Sequence, residues 1–160
     1  MWLVGGGLLA AALVSVGLFG TPADDQKNQA ATSGSSLIRP IGTAETEQAI
    51  GKLMMSGPEK ERVRAEVADG KLRLGWITVS DNFDEDGDWV RVSAAGFRQD
   101  VPLKHAPYTF AIPYLPGTPV TVTGLVDGGG GDITVSVYVG TAVLSLKPLK
   151  TGETLQVPAP

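Results

Sequence analysis

The sequence predicts a mainly β protein, an antiparallel β-sandwich of about seven to eight strands that follows an N-terminal membrane helix and one or two short helices. Two observations predict the strands. From Lys71 onward, β-branched and aromatic residues alternate with polar ones, which is the period of a strand with one buried face. Turn residues such as Gly, Pro and Asp interrupt these runs at intervals of roughly ten residues. The membrane helix is predicted by a third observation, an uncharged N-terminal stretch.

Residues 1–20 predict a transmembrane anchor or a signal peptide. No charged side chain occurs from Trp2 to Gly20, and a helix of about 1.5 Å per residue would cross most of a ~30 Å hydrocarbon core. The Lys/Arg residues that normally begin a signal peptide are missing, which favours an anchor in contact with membrane lipid through residues 2–20. The β domain is then expected on the extracytoplasmic side, in the periplasm or on the cell surface. Cleavage of residues 1–23 would instead give a secreted protein.

A polar stretch and a short helical segment separate the anchor from the strands. Residues 21–42 are rich in Asp, Gln, Asn, Ser, Thr and Gly, which predicts a flexible linker. Residues 43–69 predict the helical segment, interrupted at Gly57. Ser56 and Glu59 have the spacing of a capping box for its second, highly charged helix. We expect this helix to be a solvated stalk, a cover for the sheets or a surface for a partner.

Residues 70–160 predict the β-sandwich domain. The predicted strands are 71–80, 88–94, 97–103, 108–113, 119–125, 133–139, 142–147 and 154–158. Their number and length fit an immunoglobulin-like sandwich of two sheets. The chain contains no cysteine, so the disulfide typical of that fold is absent and only the architecture is implied.

Composition excludes several functions. A formal net charge of −4 and a pI near 4.9 disfavour binding to nucleic acid, because no basic stripe is present to replace the counterions of the phosphates. The absence of cysteine excludes thiolate metal sites and a cysteine nucleophile. His105 is the only histidine, which excludes a histidine-rich zinc site and favours a surface turn. We therefore predict that the protein is not an enzyme.

The strongly acidic stretch 81–88 suggests a calcium site. With Gly87 in the sixth position of an EF-hand loop, Asn82, Asp84 and Asp86 occupy the first, third and fifth positions and Asp88 the seventh. The stretch resembles that loop, and the acidic loops of dockerin-type and thrombospondin-type calcium repeats, over these few residues only. The twelfth position is Ser93 instead of glutamate, and a strand follows instead of a helix. Further ligands must therefore come from elsewhere in the chain.

Antiparallel strands would bring every second connection to the same end of the domain. Loops 81–88, 104–107, 126–132 and 148–153 are then neighbours, and the third of them carries two aspartates around four glycines. The resulting prediction is a Ca²⁺ site that draws on Asn82, Asp84, Asp86, Asp88, Asp127 and Asp132. The alternative is a set of solvated turns, because Asp and Gly are also the preferred turn residues of β proteins.

Three side chains predict a binding surface for a protein or glycan. Trp89, Arg91 and Tyr138 fall on the polar-side parity of their strands, where they are either exposed or covered by the charged helix at 58–68. The predicted function is a noncatalytic module for binding or assembly, and homo- or hetero-oligomers are left open. The alternative is a structural subunit of an envelope complex or surface fibre, assembled through the N-terminal helix. A hydrolase that uses the acidic loops is a minor alternative.

Overall fold

The computed structural model describes residues 36–139 and 142–160. The predicted membrane segment at 1–20 and most of the predicted linker lie outside these residues. Within the described ranges, no helix has the length and apolar character needed to span a membrane. A 3₁₀ turn at Thr43–Glu45 leads into two helices, α1 (Thr46–Gly51) and α2 (Gly57–Ala68). The strands are β1 (Arg39–Pro40), β2 (Arg73–Ser80), β3 (Trp89–Ala94), β4 (Phe97–Pro102), β5 (Tyr108–Tyr114), β6 (Val120–Val126), β7 (Ser136–Val139), β8 (Ala142–Ser145) and β9 (Thr154–Val157).

Two antiparallel sheets form a sandwich-like domain, as the sequence predicts. In the five-stranded sheet, β2 pairs with β5, with β1 and with β7, and β7 pairs with β8. The four-stranded sheet has the order β4-β3-β6-β9. All eight predicted strands are present, with small differences at their ends. The largest difference is at β7, which begins at Ser136 because Ile133 forms an isolated bridge with Leu149 instead of extending the ladder.

The main hydrophobic core lies between the two sheets. The alternation seen in the sequence supplies it, since Ile77 and Val79 of β2 face Val90 and Val92 of β3 across the sandwich. Phe110 of β5 is the largest fully buried side chain. The intervening residues of each strand therefore point to the outer faces of the sheets.

The two helices cover part of the outer face of the five-stranded sheet. Ile50 of α1 and Val63 of α2 belong to a second hydrophobic cluster with Leu74, Trp76 and Ala111 of that sheet. The predicted capping box is present, because Ser56 N donates to Glu59 Oε2 at 2.9 Å and the Ser56 side chain accepts from the backbone N of Glu59. The charged helix was expected to be a stalk, a cover for the sheets or a partner surface, and the structure shows it covering a sheet.

Strand β1 lies within the stretch expected to be a linker. Ile38, which precedes it, is fully buried in the main core, and Arg39 and Pro40 pair with Trp76 and Gly75 of β2. A Cβ atom at Gly75 would overlap Ile38 and would lie 3.1 Å from Tyr114 Cε1. The folded domain therefore includes the end of the 21–42 stretch.

Candidate metal centre

Three connections meet at one end of the sandwich, which we call the loop pole: 81–88, 103–107 and 127–135. Asp81 N donates to Lys104 O at 2.7 Å, and Gly128 N donates to Asp88 Oδ1 at 3.0 Å. These bonds connect the first loop to the other two. The shared end expected from antiparallel strand order is therefore observed, and the stretch at 148–153 approaches it through the bridge between Leu149 and Ile133.

A cluster of three aspartates lies at the loop pole. One carboxylate oxygen each from Asp81, Asp86 and Asp88 lies within 4.8 Å of the others, and such a group could hold a metal ion. Asp81 and Asp88 are only 3% and 2% exposed, whereas Asp86 is exposed to solvent. Two of the three charges are therefore removed from water, which is costly unless a partner compensates them.

Asp81 has one satisfied and one unsatisfied carboxylate oxygen. Its Oδ1 accepts hydrogen bonds from Thr134 Oγ1 at 2.7 Å and from the backbone N of Phe83 at 3.1 Å. Its Oδ2 is buried and has no hydrogen-bond partner among the described residues. A buried carboxylate oxygen with no donor is unusual in folded proteins, and a bound cation is one way to compensate it.

Asp88 stands at the other end of the same loop, directly before β3. Gly128 N donates to its Oδ1 at 3.0 Å and Thr134 N to its Oδ2 at 3.4 Å. Burial raises the pKa of the Asp88 carboxyl above its ordinary value, and the charges of Asp86 and Asp81 add to this shift. The two backbone donors oppose the shift. Burial and the neighbouring charges thus make the charged form of Asp88 less favourable than it would be in water.

Glycines let the β6–β7 connection pack against the acidic loop. A Cβ atom at Gly128 would lie 2.8 Å from the carbonyl carbon of Asp86, and one at Gly129 would lie 2.7 Å from Asp86 Cγ. Both separations are far shorter than an ordinary contact of about 3.5 Å between carbon atoms. The run of four glycines noted in the sequence therefore has a steric reason at two of its positions.

The structure groups the predicted ligands differently from an EF-hand. Asp86 and Asp88 lie in the cluster, but the third member is Asp81, which the EF-hand register leaves out. The physical reason is that a strand, β3, follows the loop where an EF-hand has a helix. Asp81 directly after β2 and Asp88 directly before β3 therefore lie close together. The signal in the sequence was the position of Asp81 directly after the β2 run.

The other four predicted ligands make different contacts. Asn82 Nδ2 donates to Ser145 Oγ at 3.2 Å, and the backbone carbonyl of Asp84 accepts from Asp86 N at 2.9 Å. Asp127 Oδ1 accepts from Gly130 N at 2.5 Å, so this carboxylate turns back onto its own loop. Asp132 occupies a turn with a φ of 67°. Asp84, Asp127 and Asp132 do not belong to the carboxylate cluster found among the described residues.

His105 contributes to the packing of the pole. Its Nε2 lies 2.9 Å from Phe83 O, and its backbone N donates to Glu85 Oε2 at 2.9 Å. Both contacts join the 103–107 connection to the acidic loop. The surface turn expected for His105 is thus a turn that holds a neighbouring loop in place.

The predicted binding surface is divided between the two outer faces of the sandwich. Trp89 and Arg91 alternate with buried valines of β3 and lie on the outer face of the four-stranded sheet. Arg91 forms two hydrogen bonds to Asp100, of 2.7 and 2.8 Å. Tyr138 lies on the outer face of the five-stranded sheet, where its hydroxyl is 3.2 Å from Ser80 Oγ. These side chains define two separate faces.

None of the protein-family models, curated proteins or solved structures compared with this chain matches it. A β-sandwich supports many unrelated functions, so the architecture alone does not identify one. The function is therefore inferred from the loop pole and the outer faces.

Proposed function

We propose that this chain is a noncatalytic module for binding or assembly, with a loop pole stabilised by Ca²⁺. In this proposal residues 1–20 anchor the protein in a membrane or direct its export, and the β domain is extracytoplasmic. The uncharged N-terminal stretch, the polar stretch after it and the sandwich follow one another in the order that such a module requires. Two sheets of five and four antiparallel strands are compatible with the immunoglobulin-like type.

The observation that carries the calcium part of the proposal is the three-aspartate cluster. It lies where three connections meet, and two of its members are almost fully buried. A cation there would neutralise the repulsion between carboxylates and would stabilise the acidic loop that the other two connections contact. In this proposal the ion is structural.

Calcium suits the chemistry of the cluster. Ca²⁺ takes carboxylate oxygens as ligands in proteins, and one such oxygen from each of the three aspartates lies within 4.8 Å of the others. Mg²⁺ demands near-ideal octahedral geometry and gives up its waters reluctantly. Carboxylates on a loop also suit the flexible geometry of Ca²⁺, and the exposed side of Asp86 admits the waters that complete its six to eight ligands.

Thermal unfolding of the full chain in detergent tests the calcium role. After chelation, addition of Ca²⁺ at about a hundredfold excess over its Kd should stabilise the folded state by about 2.7 kcal/mol. For a domain of about 125 residues this corresponds to a rise in Tm of about 10 °C. Magnesium at the same concentration is the control and should give a smaller shift. An unchanged Tm with Ca²⁺ would contradict the proposal.

The binding role requires an exposed contact surface, and the two outer faces provide candidates. Trp89 is 38% exposed on the four-stranded sheet, beside the paired Arg91. Tyr138 occupies the face of the five-stranded sheet that carries Ser80. Large aromatic side chains of this kind contribute much of the binding energy at protein and glycan interfaces. A single partner is expected to use one of these faces.

A further inference from the structure

We propose that one Ca²⁺ is bound by Asp81, Asp86 and Asp88, and that Thr134 is the positioning residue that connects this site to the β6–β7 connection. This inference rests on the calcium role proposed above, and it specifies the ligands and the residue that orients them.

One carboxylate oxygen of Asp81 is buried without a hydrogen-bond partner among the described residues. Three aspartates on a loop are common without any ion, but here Asp81 is 3% exposed and its Oδ2 has no donor among the described residues. Its Oδ1 is already used by Thr134 and Phe83. The free oxygen therefore remains for a ligand, and the neighbouring carboxylates make that ligand a cation.

Thr134 contacts both buried carboxylates. Its hydroxyl donates to Asp81 Oδ1 at 2.7 Å, and its backbone N donates to Asp88 Oδ2 at 3.4 Å. One residue of the β6–β7 connection thus fixes the orientation of two carboxylates that stand at opposite ends of the β2–β3 loop. Residues that orient metal ligands in this way affect affinity although they do not touch the ion.

Gly128 is a second residue of the β6–β7 connection that contacts the proposed ligands. Its N donates to Asp88 Oδ1 at 3.0 Å, and its Cα is packed so closely that a side chain would overlap Asp86. All three ligands thus belong to the β2–β3 loop, whereas their orientation depends on the β6–β7 connection. Occupancy of the site is expected to order both segments together.

Calcium titration of the full chain in detergent tests this assignment. The wild-type chain should bind one Ca²⁺ in calorimetry, and Asp81→Asn should weaken binding more than tenfold. Asp84→Asn, in the same loop but outside the cluster, is the matched control and should remain within about twofold of wild type. Thr134→Val should weaken binding by about 10- to 100-fold, and Thr134→Ser should restore it. Hydrogen exchange should show that Ca²⁺ protects the amides of Gly128 and Thr134.

The outcomes separate this inference from the broader proposal. Wild-type binding of one Ca²⁺ that survives Asp81→Asn, or that is lost equally in Asp84→Asn, would overturn the ligand assignment and leave a calcium-stabilised domain. Unchanged affinity in Thr134→Val would overturn the positioning role. Failure of the wild-type chain to bind any Ca²⁺ would overturn both proposals. If Asp81→Asn does not fold, Thr134→Val with its serine rescue still decides the question.

Discussion

Substitution of Gly128 by alanine should separate the two loops at the pole. The added Cβ would overlap the carbonyl oxygen of Asp86 and would lie 2.8 Å from the carbonyl carbons of Asp86 and Gly87, so the backbones must move apart by more than about 0.7 Å to restore ordinary contacts. Overpacking of this kind costs about 1–3 kcal/mol. For a domain of about 125 residues, the Tm of Gly128→Ala should fall by about 4–12 °C in calcium-free buffer.

Gly131→Ala provides a matched control in the same glycine run. No atom of the described residues lies within 4 Å of a Cβ at Gly131, and its φ is not in the left-handed region. Alanine at such a site is neutral or stabilises by up to about 1 kcal/mol, because it restricts the unfolded chain. Differential scanning calorimetry measures both variants. Equal Tm values for Gly128→Ala and Gly131→Ala would show that the loops do not pack as described.

Two further predictions concern the core and the outer faces. Gln99 is 2% exposed. Its side chain accepts a hydrogen bond from the backbone N of Met54 at 2.6 Å and donates one to Ala111 O at 2.9 Å. Gln99→Leu should lose about 2–4 kcal/mol in urea unfolding, because both backbone groups lose their partner, and a loss below about 1 kcal/mol would refute this. Trp89→Ala and Tyr138→Ala lie on opposite faces, so only one of them should abolish the signal on glycan arrays or in pull-downs. Loss of the signal in both folded variants, or in neither, would contradict a single contact face.

The strands could be predicted because their pattern is local. A period of two, interrupted by glycine and proline, is sufficient to locate eight of the nine strands in the part of the chain that the structure describes. Strand β1 could not be found in this way, because Arg39 and Pro40 are too few to alternate and only Ile38 is buried. The sequence pattern could not predict the order of strands within each sheet either, because that order depends on contacts between distant segments.

The meeting of the loops could be predicted, but the members of the aspartate cluster could be predicted only in part. The expected meeting of the 81–88 and 126–132 loops depends on strand direction alone, and the bond from Gly128 to Asp88 shows it. The EF-hand spacing includes Asp86 and Asp88, but it assumes that a single loop both supplies and orients the ligands. Asp81 belongs to the cluster because it lies directly after strand β2. Thr134 contacts the cluster from a distant part of the chain, which the spacing of residues within the loop cannot indicate.

The separation of Thr134 from Asp81 has a consequence for the order of folding. The two residues are 53 positions apart in the chain, with strands β3 to β6 between them, so their hydrogen bond closes a long loop and costs entropy in a chain whose intervening strands are not yet placed. A calcium ion that meets the unfolded chain finds the three aspartates of the β2–β3 loop, but not the donors that orient them. If the proposed site binds Ca²⁺, tight binding would be confined to the completed sandwich, and the ion would stabilise the finished fold without guiding its early steps.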